Sequence, residues 1–128
     1  MIFITPFLLF FCSTQDDDCT SASGDCLYSE PEYGDLAITL TINEENPQII
    51  LNIYWGDYEN EQLIISDTLS VENVIYTLPL GEYSGTVLYK EGDDLILAVD
   101  GDNISTDQED TCEGDCWTLN DGELDLTL

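Results

Sequence analysis

The residues most informative about the fold are Leu78-Pro79-Leu80-Gly81-Glu82-Tyr83-Ser84-Gly85-Thr86-Val87. It leads into a strand that we expect to run through Tyr89. The following segment, Lys90-Glu91-Gly92-Asp93-Asp94, predicts a hairpin turn because its glycine can adopt the positive φ that a tight turn needs. Residues 95–99 are predicted to return as the next strand. An antiparallel hairpin is therefore expected in this part of the chain.

Outward from this hairpin, the hydrophobic pattern repeats every two residues. Residues 36–42 alternate apolar side chains with small or polar ones, and residues 123–128 alternate leucine with acids or threonine. Residues 48–55 are apolar at nearly every position, which predicts a central strand. Further short strands are predicted at residues 63–66, 71–78 and 116–119. About seven or eight strands without a helix predict an all-β fold, a single small antiparallel β-sandwich.

The segment from Leu78 to Tyr83 resembles the L-P-x-G-x-Y corner that precedes a strand in immunoglobulin-like and transthyretin-like β-sandwiches. The resemblance implies that Gly81 allows a tight turn and that Tyr83 packs inward. It also implies a hydrogen bond from the Tyr83 hydroxyl to nearby backbone. This resemblance bears on architecture alone.

The N-terminal segment has the pattern of an export signal. Residues 2–11 are apolar or nearly so and end at Cys12. The run is too short for a membrane span, which needs about 20 residues, but it suits a signal peptide. No Lys or Arg precedes it, and Phe11 is bulky where signal peptidases prefer a small residue. A plain secretory signal or an uncleaved anchor therefore stays open, with a secreted or periplasmic location.

Leu8-Leu9-Phe10-Phe11-Cys12 resembles a degenerate lipobox, and Ser13-Thr14-Gln15-Asp16-Asp17-Asp18 resembles the acidic signal of surface-exposed lipoproteins of Bacteroidetes-type bacteria. The resemblance implies that Cys12 is the acylated N-terminus and that the protein lies at the cell surface, on the outer membrane. Contact with the membrane would be through the lipid anchor only. The predicted organisation is a signal segment (1–11), a lipidated cysteine with a flexible, acidic tether (12–33) and a β-sandwich domain (34–128).

The charge balance and the missing histidines exclude several functions. The chain has 28 Asp and Glu but one base, Lys90, which gives a net charge of −27. No nucleic-acid partner is expected, because phosphate binding needs Lys and Arg. The absence of His excludes His-based general bases, Ser–His and Cys–His nucleophiles, and imidazole zinc sites. We therefore expect no enzyme.

Four cysteines, Cys19, Cys26, Cys112 and Cys116, lie in polar segments outside the apolar runs. An even number of cysteines in a small exported domain predicts two disulfides. Local pairing would join Cys19 to Cys26 and Cys112 to Cys116, whereas crossed pairing would tie the first pair to the second. Loop entropy favours the crossed form and proximity the local one, so both stay open. Zinc bound by four thiolates is an alternative that export disfavours.

Residues 100–115 are acidic, and we interpret them as a long loop that is either solvated or a weak calcium site. Asp100-Gly101-Asp102-Asn103 begins like a calcium loop. However, Ile104 and Ser105 stand where an EF-hand needs a ligand and a glycine, so no EF-hand is predicted. Calcium is the one cofactor considered. Its candidate ligands are Asp100, Asp102, Asp107, Glu109 and Asp110.

Tyr54, Trp55 and Tyr58 are candidates for a sugar-stacking patch at a strand end, although aromatics there also serve as core and edge residues. The sequence thus favours a cell-surface lipoprotein carrying a non-catalytic β-sandwich that acts as a binding or structural module. The alternatives are a glycan-binding accessory protein of an outer-membrane nutrient-uptake system and a weak calcium-binding secreted domain. Whether the ligand is a glycan or a protein stays open.

Overall fold

The computed structural model describes residues 27–111 and 114–128, and it describes no side chain at position 111. One short 3-10 turn, Tyr58–Asn60, is the single helical element in these ranges. No helix there is long and apolar enough to cross a membrane. The strands are β1 (Tyr33–Thr39), β2 (Ile49–Trp55), β3 (Leu63–Leu69), β4 (Asn73–Pro79), β5 (Gly81–Glu91), β6 (Asp94–Thr111), β7 (Gly114–Asn120) and β8 (Gly122–Asp125).

The strands form two sheets, which confirms the predicted all-β sandwich. One sheet has three strands in the order β4-β1-β8, and the other has five in the order β3-β2-β5-β6-β7. The pairings with a described register are antiparallel except that of β1 with β8, which is parallel. Strand β8 follows a strand of the other sheet, so it enters by a crossover and not by a hairpin, which permits the parallel direction.

Strand β2 lies between β3 and β5, as its apolar sequence predicted. Its two faces have different environments. Leu51 and Ile53 are fully buried in the core, whereas Ile50 is 55% exposed on the opposite face. The inner faces of both sheets supply the core, whose buried members are Leu36, Ile38, Leu40, Ile49, Leu51, Ile53, Tyr83, Val87, Tyr89, Ile104, Leu124 and Leu126.

The chain divides into two compact units. One comprises Met1–Pro31 and Thr106–Thr118, and within its described part Leu27 and Trp117 exchange two backbone hydrogen bonds of 3.1 and 2.7 Å. The other comprises Glu32–Ser105 and Leu119–Leu128, and it contains the whole core cluster.

The acidic stretch that we expected to be a loop is mostly strand. Strand β6 continues to Thr111, and β7 begins at Gly114. The backbone ladder between β5 and β6 extends from Glu91–Asp94 to Gly81–Ile104, where Ile104 is buried in the core. Backbone hydrogen bonds hold a strand whatever its side chains are, so the acids here did not end it. The loop prediction for residues 100–115 was therefore wrong.

The predicted corner before β5 is present. Gly81 has a φ of 155°, and a Cβ at this position would lie 2.5 Å from the Trp55 ring. Glycine is therefore needed both for the backbone conformation and for space. Tyr83 is buried, and its hydroxyl donates a hydrogen bond to the Pro79 carbonyl at 2.5 Å. Burial raises the pKa of Tyr83 above the ordinary tyrosine value, so the hydroxyl stays a donor.

Candidate functional site

The outer face of the five-stranded sheet carries a row of three residues near one end. Tyr54 on β2 pairs with Ser84 on β5, which in turn pairs with Gly101 on β6. A Cβ at the adjacent Gly85 would meet Leu124 in the core, so position 85 faces inward. Because successive side chains alternate across a strand, Ser84 faces away from the core. This row is the floor of the candidate site.

A cleft of about 660 Å³ lies over the Ser84 and Gly101 positions of this row, and we name it the Ser84 cleft. Ser84 is 6% exposed, and its Oγ has no hydrogen-bond partner among the described residues. Buried hydroxyls nearly always have a partner, so this one is an exception that needs a reason. The lining residues are Gly56, Asp57, Tyr58, Glu82, Tyr83, Ser84, Val99, Asp100, Gly101, Asp102 and Asn103.

A second cleft, of about 640 Å³, adjoins the first, and we name it the Tyr54 cleft. Its lining residues are Tyr54, Tyr58, Glu59, Glu61 and Leu63. Tyr58 lines both clefts, so the two clefts meet at this residue. Tyr54 and Tyr58 meet edge to face, with ring centroids 6.4 Å apart and an interplanar angle of 61°.

The loop that carries Tyr58 has a defined geometry. It leaves β2 at Gly56, whose φ of 74° suits glycine. Asp57 then caps the 3-10 turn, because its Oδ1 accepts a hydrogen bond of 3.2 Å from the Glu59 amide. The turn ends at Glu61, which adopts a left-handed conformation and donates its N–H to the Tyr58 carbonyl at 3.0 Å. These bonds hold Tyr58 between the clefts.

Trp55 does not belong to this site, although we predicted it as part of one aromatic patch with Tyr54 and Tyr58. It follows Tyr54 in β2 and therefore points to the other face of the sheet. There it packs edge to face on Tyr83, with centroids 5.2 Å apart, and covers Gly81. The structure brings together Tyr54 and Tyr58 and assigns Trp55 to the corner.

Asp100 and Asp102, two of the candidate calcium ligands, hydrogen-bond to backbone. Their Oδ2 atoms accept hydrogen bonds of 2.8 Å from the amides of Asp125 and Glu123, respectively. Their Oδ1 atoms accept from the amides that follow each aspartate, at 2.9 and 2.8 Å. Strand β8 pairs with β1 on one side only, so these carboxylates satisfy donors along its other edge.

The other three candidate calcium ligands, Asp107, Glu109 and Asp110, belong to the other compact unit. Within the described ranges, no three His, Cys, Asp or Glu residues are grouped so that they could hold a metal ion. The predicted calcium site therefore gains no support from the described geometry.

We expect Asp100→Ala and Asp102→Ala each to lower the free energy of unfolding by about 1 kcal/mol, because each leaves an edge amide of β8 without its partner. Removing one negative charge from a chain of net charge −27 should itself be slightly stabilising. Asp93→Ala, in the exposed hairpin turn, removes the same charge and is the control. Urea unfolding measures the difference, and equal stability of all three variants would contradict the role of these carboxylates.

Of the predicted disulfide cysteines, Cys116 is described: it is 5% exposed and is disulfide-bonded. Cys19, Cys26 and Cys112 lie outside the described residues, as does the predicted lipid-attachment residue Cys12. The pairing pattern therefore stays a prediction.

Comparison with known proteins yields no match: no family model, curated protein or solved structure matches the chain. The ligand is therefore inferred from the side chains that line the two clefts. Carboxylates along the rims accept hydrogen bonds, Asn103 both donates and accepts them, and the Tyr58 ring offers an apolar face. This set suits binding, and Ser84 and Asn103 are members that we did not predict.

Proposed function

We propose that the chain is an extracytoplasmic, lipid-anchored β-sandwich that binds a ligand on the outer face of its five-stranded sheet and catalyses no reaction. The observation that carries the proposal is the Ser84 hydroxyl, which is buried in the wall of an open cleft and has no partner among the described residues. A hydroxyl in this position is stabilised when a bound molecule supplies the missing hydrogen bond.

The acids near the clefts support binding over catalysis. Hydrolysis by a carboxylate pair needs one acid with a raised pKa and one ionised partner, both facing the substrate. Asp100 and Asp102 instead use both of their carboxylate oxygens on backbone amides. Asp57 is occupied as a helix cap. These carboxylates therefore act as structural groups, and the remaining rim acids are hydrogen-bond acceptors for a ligand.

The lipobox resemblance and the acidic run behind Cys12 support a location at the outer surface of the outer membrane. A net charge of −27 is compatible with a solvated domain held away from anionic lipid by a tether. The single attachment would be a diacylated thioether, and two or more acyl chains are enough for stable anchoring. A domain at this location would meet its ligands in the medium outside the cell.

The anchor is tested by growing a bacterium that makes such lipoproteins with a clickable palmitate analogue. We expect the wild type and Ser13→Ala to incorporate label and sediment with the outer membrane, because both keep the Cys12 thiol. Cys12→Ala should incorporate no label and should not sediment with the membrane, because acylation requires that thiol. Label retained by Cys12→Ala, or none in the wild type, would contradict lipidation at this residue and favour a secreted or periplasmic protein.

A further inference from the structure

The Ser84 hydroxyl indicates which chemical groups a ligand needs in order to bind beside it. Ser84 has two acceptor lone pairs and one donor hydrogen, and its partner strands on either side carry Tyr54 and Gly101 at the paired positions. Gly101 has no side chain, so the space above this part of the floor is left open. Because the Ser84 Oγ is buried, binding requires rotation about χ1 to a staggered position that turns the hydroxyl toward the cleft. A ligand hydroxyl fits because it can donate to Ser84 or accept from it.

The rings of Tyr54 and Tyr58 favour a ligand that has an apolar face. Tyr58 lines both clefts and is held by the capped turn that carries it. Its edge-to-face contact with Tyr54 fixes the two rings at an angle of 61° to each other. A ligand that combines a flat apolar face with hydroxyl groups at its rim can pack on these rings and reach Ser84. Pyranose sugars have this combination.

The rim charges disfavour anionic ligands, and the described residues offer no site for a metal ion. Asp57 and Glu82 border the Ser84 cleft, and Glu59 and Glu61 border the Tyr54 cleft. The described lining residues of the two clefts include no Lys or Arg, so an anionic ligand would be repelled. A divalent cation needs several converging oxygens, and the described residues offer no such group. Carboxylates do accept hydrogen bonds from sugar hydroxyls.

We infer that the Ser84 and Tyr54 clefts form one continuous site for a neutral oligosaccharide, with Tyr58 between successive sugar units and Ser84 hydrogen-bonded to a sugar hydroxyl. The inference rests on the proposed binding function and names its ligand class. Since the two clefts share Tyr58 in their linings, a chain of three or more sugars can fill both, whereas a monosaccharide fills one. Affinity should therefore rise with chain length.

The test is calorimetry of the full extracytoplasmic chain with a panel of neutral hexasaccharides (gluco-, manno-, xylo- and malto-configured), chitosan hexamer as the cationic probe and oligogalacturonate as the anionic probe. We expect at least one neutral hexasaccharide to bind, about tenfold or more tightly than its monosaccharide. Oligogalacturonate should not bind, because the rim carboxylates repel it, whereas any binding of chitosan should weaken with added salt. Binding of oligogalacturonate, or equal affinity for monosaccharide and hexasaccharide, overturns the inference.

Variants locate the site. Ser84→Ala should weaken hexasaccharide binding about tenfold. Its melting temperature should equal or exceed that of the wild type, because the hydroxyl it removes has no partner in the described fold.

Gly101→Tyr should abolish binding by filling the cleft, since a Cβ there meets its neighbours at an ordinary 3.4 Å or more. Ile75→Tyr, on the outer face of the other sheet and 63% exposed, is the matched control and should bind normally. Unchanged affinity in Ser84→Ala and Gly101→Tyr overturns the inference.

A second measurement separates this inference from the proposed function. Amide correlation spectra are recorded with a fragment library of amines, amides, carboxylates and aromatic alcohols. If neutral sugars fail but another class shifts the signals of Ser84 and Tyr58, the ligand class is wrong and the binding site stands. If no sugar and no fragment shifts these signals, both the inference and the proposed function are overturned.

Discussion

Leu51→Ala is expected to lower the free energy of unfolding by about 2–5 kcal/mol, because it removes a fully buried side chain and leaves a cavity that its neighbours fill incompletely. Leu51 lies on the central strand β2, where it pairs with Asp67 on β3 and Val87 on β5. Small domains are stable by only about 5–15 kcal/mol, so this change alone could remove a large share of the total. Urea unfolding followed by tryptophan fluorescence measures it.

Ile50→Ala is the control, since Ile50 precedes Leu51 in the same strand but is 55% exposed on the outer face. We expect it to lose well under about 1 kcal/mol. Equal losses in the two variants would mean that the alternation of β2 between core and outer face is wrong. The assignment of Tyr54 to the outer face and Trp55 to the inner one rests on the same alternation.

Tyr89→Phe is expected to lower the free energy of unfolding by about 2–3 kcal/mol, although the two side chains have nearly the same shape. Tyr89 is fully buried, and its hydroxyl donates to the Leu126 carbonyl at 2.6 Å and accepts from the Thr41 amide at 2.9 Å. Phenylalanine would leave both backbone groups without this partner. The hydroxyl thus ties the segment after β1 to the segment after β8.

Chemical denaturation of Tyr89→Phe measures this loss, and hydrogen exchange of the Thr41 amide reports where it arises. Tyr33→Phe is the control, because Tyr33 is 57% exposed. We expect the exchange of Thr41 to accelerate in Tyr89→Phe alone. A loss no greater than that of Tyr33→Phe would show that packing, and not this hydroxyl, holds the C-terminal segment in place.

The strands with a buried face could be predicted because their side chains alternate in hydrophobicity. Residues 48–55 correspond closely to β2, and the glycine of the corner marks the start of β5. The second half of β6 could not be predicted, because its side chains are mostly polar or acidic and show no alternation of apolar residues. Alternation of apolar and polar residues identifies a strand that has a buried apolar face. A strand held by backbone hydrogen bonds does not need such a face, so this pattern does not detect it.

The candidate site was only partly predictable for the same reason. Tyr54 and Tyr58 were identified from their aromatic character, but separating Trp55 from them required the exact phase of β2. Ser84 was missed because its importance depends on register: Gly101, which keeps the space beside it open, is 17 residues away and is brought opposite by the β5–β6 hairpin.

Binding of a neutral oligosaccharide across Tyr58 is the claim on which the functional interpretation depends. Its most direct test is a titration of the labelled chain with the tightest-binding neutral hexasaccharide, followed by amide correlation spectra. We predict saturable shifts that centre on Tyr54, Tyr58, Ser84 and Gly101 and leave Ile75 unmoved. Shifts centred elsewhere, or none at saturating sugar, would contradict it.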